Sequence, residues 1–176
     1  MHRRGDRAEK WLAEMMNGSP TVNSGATFED GDWRTQYRLY EVKERELDDS
    51  IVVRGAAVNK HIERANREVL GPAFMVMTRS SWVYFIVPAQ DYLFSAEAAG
   101  FGSELYEMAP GMVSKRGQNI KIIERIVHAF RENGIFLWKY GRKNIDVWVI
   151  VEASHWLEVC GEASDELRCR RSNLCR

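Results

Sequence analysis

The segment Gly31-Asp-Trp-Arg-Thr-Gln-Tyr-Arg-Leu-Tyr-Glu-Val-Lys43 decides the fold that we expect of this chain. It has an Asp directly after a glycine, an apolar and aromatic stretch that is typical of a strand, and a final Glu-x-Lys. Successive side chains of a strand point to opposite faces, so Glu41 and Lys43 share one face and Val42 lies on the other. If residues 33–43 form a hairpin that turns near residues 35–36, or one long bent strand, Asp32 returns beside Glu41.

Two carboxylates and an ammonium group that converge on one point suit metal-dependent phosphodiester cleavage. Asp32 and Glu41 would bind Mg²⁺ through their oxygens. The ion would activate a water, and Lys43 would hold that water or stabilise the transition state. The alternative is that Asp32 is a turn residue and that Glu41 and Lys43 form a cross-strand ion pair on a solvated strand face.

The segment resembles the catalytic motif of the PD-(D/E)xK nuclease superfamily. Asp32 matches the Asp of that motif and Glu41-Val42-Lys43 matches its (D/E)xK, whereas Gly31 stands in place of the Pro. Two upstream elements are similar to those of the archaeal and phage Holliday junction resolvases: Gly5-x-x-x-Glu9, which opens an amphipathic helix, and Ser24-Gly25-Ala26. The resemblance covers roughly residues 1–95.

This resemblance implies a role for each matching residue. Asp32 and Glu41 would bind the metal, with the backbone carbonyl of Val42 as a further ligand. Lys43 would be the catalytic lysine.

The upstream elements are implied to complete the site. Glu9 would reach it from the first helix and orient a water or a second metal, as both a catalytic and a metal-binding residue. Glu14 on the same helix is a rival for that role. Ser24 would lie near the scissile phosphate.

The resemblance also implies an α/β (α+β) fold, with a restriction-endonuclease-like mixed central sheet flanked by helices. The residue pattern agrees with a fold of helices and buried strands. Residues 6–17 and 56–70 have helical spacing, and the apolar runs at 73–77 and 82–87 are typical of buried strands. We therefore assign residues 1–97 to the nuclease core.

Residues 98–176 are expected to form a small αββ addition that packs on the core and ends in a mobile tail. An apolar stripe predicts a helix over 119–132. Two strands are expected at 135–140 and 145–151, joined by a hairpin-like turn, and we allow for a third strand at 155–160.

The composition excludes several classes of protein. Hydrophobic residues make up 45% of the 176 residues, which is enough for a core, and there is no apolar run that would predict a transmembrane helix. The first residues lack the apolar segment of a signal peptide. The three cysteines match no usual zinc spacing, and their odd number favours free thiols. We expect no membrane partner and a cytoplasmic location in a bacterial, archaeal or phage-infected cell.

The net charge of zero argues against simple non-specific coating of DNA, although acidic residues can offset a basic groove. Two basic groups flank the expected site, and residues 139–143 combine basic residues with an aromatic one. We expect nucleic-acid contacts from these positions: Arg4, Arg7, Ser24, Arg34, Arg38, Lys139, Arg142 and Lys143.

Together these features predict a Mg²⁺-dependent DNA endonuclease of the Holliday junction resolvase type, in which Mn²⁺ is expected to substitute for Mg²⁺. Branched DNA is the expected partner, and symmetric cutting of two strands favours a homodimer. The alternatives are another restriction- or repair-type endonuclease or nickase, and a non-catalytic nucleic-acid-binding protein on a nuclease fold. His61 lacks a partner at metal-ligand spacing, so we assign it no role.

Overall fold

The structure is a computed structural model that describes residues 6–21, 32–44, 50–123, 134–141 and 146–164. The helices are α1 (Asp6–Met15), α2 (Gly55–Arg67), α3 (Ala89–Ala98), α4 (Glu104–Glu107) and α5 (Ala153–Val159). The strands are β1 (Ser19–Pro20), β2 (Asp32–Arg34), β3 (Arg38–Glu44), β4 (Ser50–Val53), β5 (Gly71–Met77), β6 (Val83–Pro88), β7 (Gly111–Ser114), β8 (Ile120–Ile123), β9 (Ile135–Tyr140) and β10 (Asp146–Glu152).

Eight of these strands form one mixed sheet, in the order β1-β2-β3-β5-β6-β10-β9-β7. The pairs β3·β5 and β7·β9 are parallel, and the other neighbours are antiparallel. Strands β4 and β8 form a separate antiparallel pair. The predicted mixed sheet flanked by helices is confirmed. No helix among the described residues is both long and apolar enough to span a membrane.

Residues 32–44 form a hairpin, which is one of the two arrangements expected for this segment. Strand β2 pairs with β3, with Trp33 opposite Tyr40 and Arg34 opposite Leu39. The backbone N–H of Thr35 donates to the Arg38 carbonyl at 3.0 Å, which closes the turn. Helix α2 then carries the chain across to β5, as a parallel neighbour of β3 requires a crossover connection.

Different helices pack on the two faces of the sheet. One face carries Tyr40 and Val42 of β3 and packs against α1, α3 and α5. The other face carries Phe74 and Val76 of β5 and packs against Val58 of α2. Because side chains alternate along a strand, the residues of β3 between Tyr40 and Glu44 are divided between these two environments.

Two predictions for the C-terminal part are wrong where the structure describes it. Residues Ile120–Ile123, expected to begin a helix, form β8 against β4. The segment contains three isoleucines, a β-branched residue type that suits a strand, and its backbone pairs with β4. The rest of that predicted helix lies outside the described residues. Residues 155–160, allowed as a strand, belong mainly to α5, which buries Ala153, Trp156 and Leu157 at helical spacing.

A buried carboxylate, Glu162, joins the hairpin to the segment that follows α5. It accepts hydrogen bonds from Arg38 Nη1 at 2.8 Å, from Tyr40 Oη at 2.7 Å and from Thr35 Oγ1. The Arg38 guanidinium also lies over the Trp156 ring, 4.9 Å from its centre. Burial, and then the Glu162 charge, raise the pKa of Tyr40, so its hydroxyl keeps the proton that it donates.

The same segment is bonded to the end of α1. The backbone N–H of Asn17 donates to the Glu162 carbonyl at 2.8 Å, and that of Ser164 donates to the Met15 carbonyl at 2.9 Å. Met16 and Ala163 form a bridge between these two bonds. The first helix and the last described residues therefore stabilise each other.

Replacing Glu162 should strongly destabilise the protein. Glu162→Ala leaves the Arg38 guanidinium buried without its counter-charge, and the expected loss in free energy of unfolding is about 3–5 kcal/mol. Urea titration followed by tryptophan fluorescence measures this loss.

Glu158→Ala is the matched control, because Glu158 is an exposed glutamate of α5. We expect a change within about 0.5 kcal/mol there. Equal effects of the two substitutions would show that the Arg38–Glu162 pair contributes nothing particular to stability.

Candidate active site

Strand β3 places Glu41 and Lys43 side by side on the face that α2 covers. The Lys43 Nζ lies 2.6 Å from Glu41 Oε1, and each side chain is 16% exposed. Such a position is neither buried nor freely solvated. The pair is therefore accessible from outside but lies where the effective dielectric is below that of water.

His61 of α2 completes this cluster. Its Nε2 lies 2.9 Å from the Leu39 carbonyl, and its Nδ1 lies 3.6 Å from Glu41 Oε2. A carbonyl oxygen only accepts, so Nε2 carries a proton and Nδ1 is the nitrogen that faces Glu41. The imidazole also packs against Phe74, with 4.9 Å between the ring centres. Both carboxylate oxygens of Glu41 thus have a nitrogen-bearing neighbour.

Sequence reasoning missed the contribution of His61, and no local signal could have found it. His61 follows Glu41 at a distance in the chain that matches no ligand motif. The contact arises because α2 crosses back over β3 on the way to β5.

Asp32 lies directly opposite Glu41 in the register of the β2–β3 hairpin. This is the backbone position that the sequence predicts, because opposite residues of an antiparallel pair share one face of a sheet. The Asp32 side chain lies outside the described part of the structure. Val42, the predicted carbonyl ligand, is buried in β3 between Glu41 and Lys43.

Glu9 and Glu14 lie on α1, which covers the opposite face of the sheet from Glu41. Glu9 is partly buried there. Glu14 is exposed and lies 4.0 Å from Lys10 at its closest oxygen. Glu44 of β3 contacts the first turn of α1, where its carboxylate accepts a hydrogen bond from the Ala8 backbone N–H at 3.3 Å.

Arg7 and Arg34, two of the expected nucleic-acid contacts, bind carboxylates within the protein. The Arg7 Nε donates to Glu44 Oε1 at 2.5 Å, and its other nitrogens donate to backbone carbonyls at residues 78 and 79. Arg34 lies 3.4 Å from Glu68 and remains about half exposed. Arg34 therefore keeps a surface-facing guanidinium, whereas Arg7 is largely occupied in holding α1 to the sheet.

Arg38 does not fit the predicted contact with nucleic acid. Its side chain is buried, and its guanidinium donates to Glu162 and Ser95. A phosphate could reach it only by breaking an internal ion pair. Sequence reasoning misread it because a basic residue in a strand gives no local sign of burial.

Of the remaining residues expected to contact nucleic acid, only Lys139 lies in the part of the chain that the structure describes. Lys139 is exposed on β9, four strand spacings or about 19 Å from β3, and outside the Glu41 cluster. Alternation places it on the face opposite Trp138, which packs in the cluster on the α2 side. The other positions lie outside the described residues: Arg4, Ser24, Arg142 and Lys143.

The described residues contain no group of three or more His, Cys, Asp or Glu side chains placed to hold a metal ion. This is compatible with a magnesium site that uses few protein ligands. Mg²⁺ keeps several waters and commonly binds through one or two carboxylates plus substrate phosphates. Glu41, with position 32 opposite it, supplies that hard oxygen chemistry.

No protein-family model matches the chain, and a search of curated proteins finds no significant match. The function must therefore be inferred from the chemistry of the residues. The feature that bears on it most directly is the partly buried cluster of Glu41, Lys43 and His61.

Glu41 and Lys43 should be energetically coupled. A double-mutant cycle with Glu41→Ala and Lys43→Ala, measured by urea unfolding, is expected to give a coupling of about 1–3 kcal/mol, because both charges are largely shielded from water.

The exposed pair Lys10 and Glu14 is the matched control. Its cycle should give about 0.5 kcal/mol or less, as for other helix surface pairs. Coupling of that small size in the Glu41–Lys43 cycle would show that the pair is an ordinary solvated contact.

Proposed function

We propose that this protein is a metal-dependent DNA endonuclease of the PD-(D/E)xK type. The single observation that carries the proposal is the pairing of Glu41 with Lys43 on a strand whose hairpin partner has Asp32 opposite Glu41. After β3 and the short strand β4 the chain continues with α2, β5 and β6, which supports the proposal because the resemblance implies a helix and two strands after the Glu-x-Lys.

The donor set fits Mg²⁺. Glu41 offers carboxylate oxygens at a partly exposed position, Asp32 is opposite in register, and the resemblance adds the Val42 carbonyl. All three are oxygen donors, which Mg²⁺ prefers over nitrogen or sulfur. When bound, the ion supplies an activated water and offsets charge on the phosphate.

Lys43 is the residue that we assign to the reacting atoms. Its ammonium group is held 2.6 Å from Glu41, so its position is set before substrate arrives. From there it orients the attacking water and stabilises negative charge that develops on the phosphate. The low exposure of the pair strengthens this effect, since fewer waters screen the charge.

His61 is a positioning residue in this proposal. Its Nε2–H is anchored on the Leu39 carbonyl, which fixes the ring and directs Nδ1 at Glu41. Lys43 pairs with one oxygen of Glu41, and the fixed imidazole ring lies beside the other, so the carboxylate has little room to rotate. His61 therefore limits the rotation of Glu41 and, through it, the placement of the metal.

The finer assignment is a Holliday junction resolvase that acts on branched DNA as a homodimer. The similarity of Gly5-x-x-x-Glu9 and Ser24-Gly25 to resolvase elements supports it. A two-fold dimer would present two sites to two strands of the junction. Cleavage would leave a 5′-phosphate, as the resemblance implies.

Cleavage should require both a divalent metal and Lys43. Labelled four-way junction, flap, single-stranded and linear duplex DNA are incubated with the protein in Mg²⁺, in Mn²⁺ and in EDTA. Wild type should nick the junction in either metal and not in EDTA. Lys43→Ala should lower the rate by about 100-fold or more.

Lys10→Ala is the control, because Lys10 is a highly exposed lysine of α1. It should leave the rate unchanged. Cleavage of another substrate would keep the nuclease and replace the resolvase with a restriction- or repair-type enzyme. Binding without any cleavage would favour the non-catalytic alternative, and full activity of Lys43→Ala would remove the proposed site.

His61→Ala should impair metal binding more than it destabilises the fold. We expect a rate lower by about 10–100-fold and a higher Mg²⁺ concentration for half-maximal rate, because Glu41 loses an orienting neighbour. Rates are measured over a Mg²⁺ titration at a temperature where urea unfolding shows the variant to be folded. A lower rate with an unchanged Mg²⁺ midpoint would contradict the positioning role.

A further inference from the structure

Glu68, which follows α2, lies between two arginines on the face of the sheet that carries the candidate active site. Its Oε2 is 3.4 Å from Nη1 of Arg34 on β2, and its Oε1 is 3.3 Å from Nε of Arg64 on α2. Each arginine thus pairs with a different oxygen of one carboxylate. Two positive charges and one negative charge leave the Arg34–Glu68–Arg64 cluster with an excess of one positive charge.

The strand register sets this cluster next to the candidate active site. Position 32 lies opposite Glu41. Arg34, two residues later on β2, lies opposite Leu39, whose carbonyl is also 2.9 Å from His61 Nε2. Arg34 therefore shares the face of Glu41, about 7 Å further along the strand.

Helix α2 brings Arg64 and Glu68 to the same side as His61. Arg64 follows His61 by three residues and Glu68 follows it by seven, so helical spacing aligns them. Lys60 and Arg67 are both exposed and are neighbours of Arg64, four residues before it and three after it. Positive charge therefore extends along this flank of α2 towards the candidate active site.

The acidic residue within α2, Glu63, lies outside the Arg34–Glu68–Arg64 cluster. It is exposed and follows His61 by two residues, so it projects about 160° around the helix axis from His61. Helical spacing lets it offset the charge of Lys60 or Arg67. It does not lie between the two arginines that share Glu68.

The ion pairs of the cluster are of a kind that a competing anion can replace. Arg34 is 51% exposed, Arg64 is 34% exposed and Glu68 is 28% exposed, so water reaches all three side chains. Partly exposed ion pairs contribute little to stability, so the exchange of one anion for another costs little. The buried pair of Arg38 and Glu162 is not open to such exchange.

We propose that Arg34 and Arg64 form a clamp for one phosphate of a DNA strand, which takes the place of Glu68 between the two guanidinium groups. Phosphate oxygens suit the planar fork of arginine, which donates to them in pairs. Phosphates recur about every 3.4 Å of axis along each DNA strand, so a strand that is cut beside Glu41 and Lys43 carries another phosphate within reach of the clamp. The choice of DNA as the partner rests on the proposed function.

Fluorescence anisotropy tests the clamp apart from cleavage. Labelled four-way junction and duplex DNA are titrated with the full chain in EDTA at several KCl concentrations. Arg34→Ala and Arg64→Ala should each weaken binding by about tenfold and make the salt dependence shallower, by up to about one in the slope of log Kd against log salt. Glu68→Gln should tighten binding by about threefold or more, because the phosphate no longer has to displace a carboxylate. Urea unfolding checks that each variant is folded.

Two matched controls separate the clamp from a general effect of charge. Glu63→Gln removes a negative charge from the same helix outside the cluster. Lys10→Ala removes an exposed positive charge from α1, on the opposite face of the sheet. Both should change Kd by about twofold or less, because salt screens distant exposed charges. Equal tightening by Glu63→Gln and Glu68→Gln would overturn the clamp.

Binding and cleavage together distinguish this inference from the proposed function. Cleavage in Mg²⁺ with wild-type binding by Arg34→Ala and Arg64→Ala would overturn the clamp and leave the nuclease intact. Salt-dependent binding that both substitutions weaken, without cleavage in any metal, would support the clamp and remove the nuclease. Weaker binding by Glu68→Gln would overturn the exchange of carboxylate for phosphate, and absence of any DNA binding would overturn both proposals.

Discussion

The buried ion pair between Arg38 and Glu162 is the constraint on which the rest of the structure depends. Two charges taken out of water destabilise a fold unless each is paired and its remaining hydrogen bonds are made. Glu162 meets this condition with Arg38, Tyr40 and Thr35, and Ser95 takes a further nitrogen of Arg38. Because Arg38 begins β3 and Glu162 follows α5, the central hairpin is complete only when the last described segment is in place.

Strand β3 carries polar groups to both faces of the sheet, and alternation keeps them apart. Arg38 lies on the face of α1, α3 and α5, where it pairs with Glu162, whereas Glu41 and Lys43 lie on the face of α2. A slip of one residue in the pairing of β3 would exchange these faces. The parallel register with β5 and the antiparallel register with β2 therefore position both the Arg38–Glu162 pair and the Glu41–Lys43 pair.

Prediction from sequence worked where the signal was local. The strand that contains Glu41-Val42-Lys43 and the buried strands β5 and β6 follow from alternation and apolar runs, and all are present. It failed at Ile120–Ile123, where pairing with β4 overrides a helical apolar pattern. It also failed for Arg38, because a long basic side chain looks the same in sequence whether it meets solvent or a buried carboxylate.

By itself the sequence determined that Glu41 and Lys43 share a face, because the side-chain period of a strand is two residues. It left open whether a hairpin or a long bent strand returns residue 32 to Glu41, and the pairing of β2 with β3 shows the hairpin. Only the tertiary structure decided that His61 joins them and that Arg38 is paired internally. These contacts join residues far apart in the chain. They depend on how the helices cross the sheet and on which charged side chains are buried. Neither is encoded in a local sequence pattern.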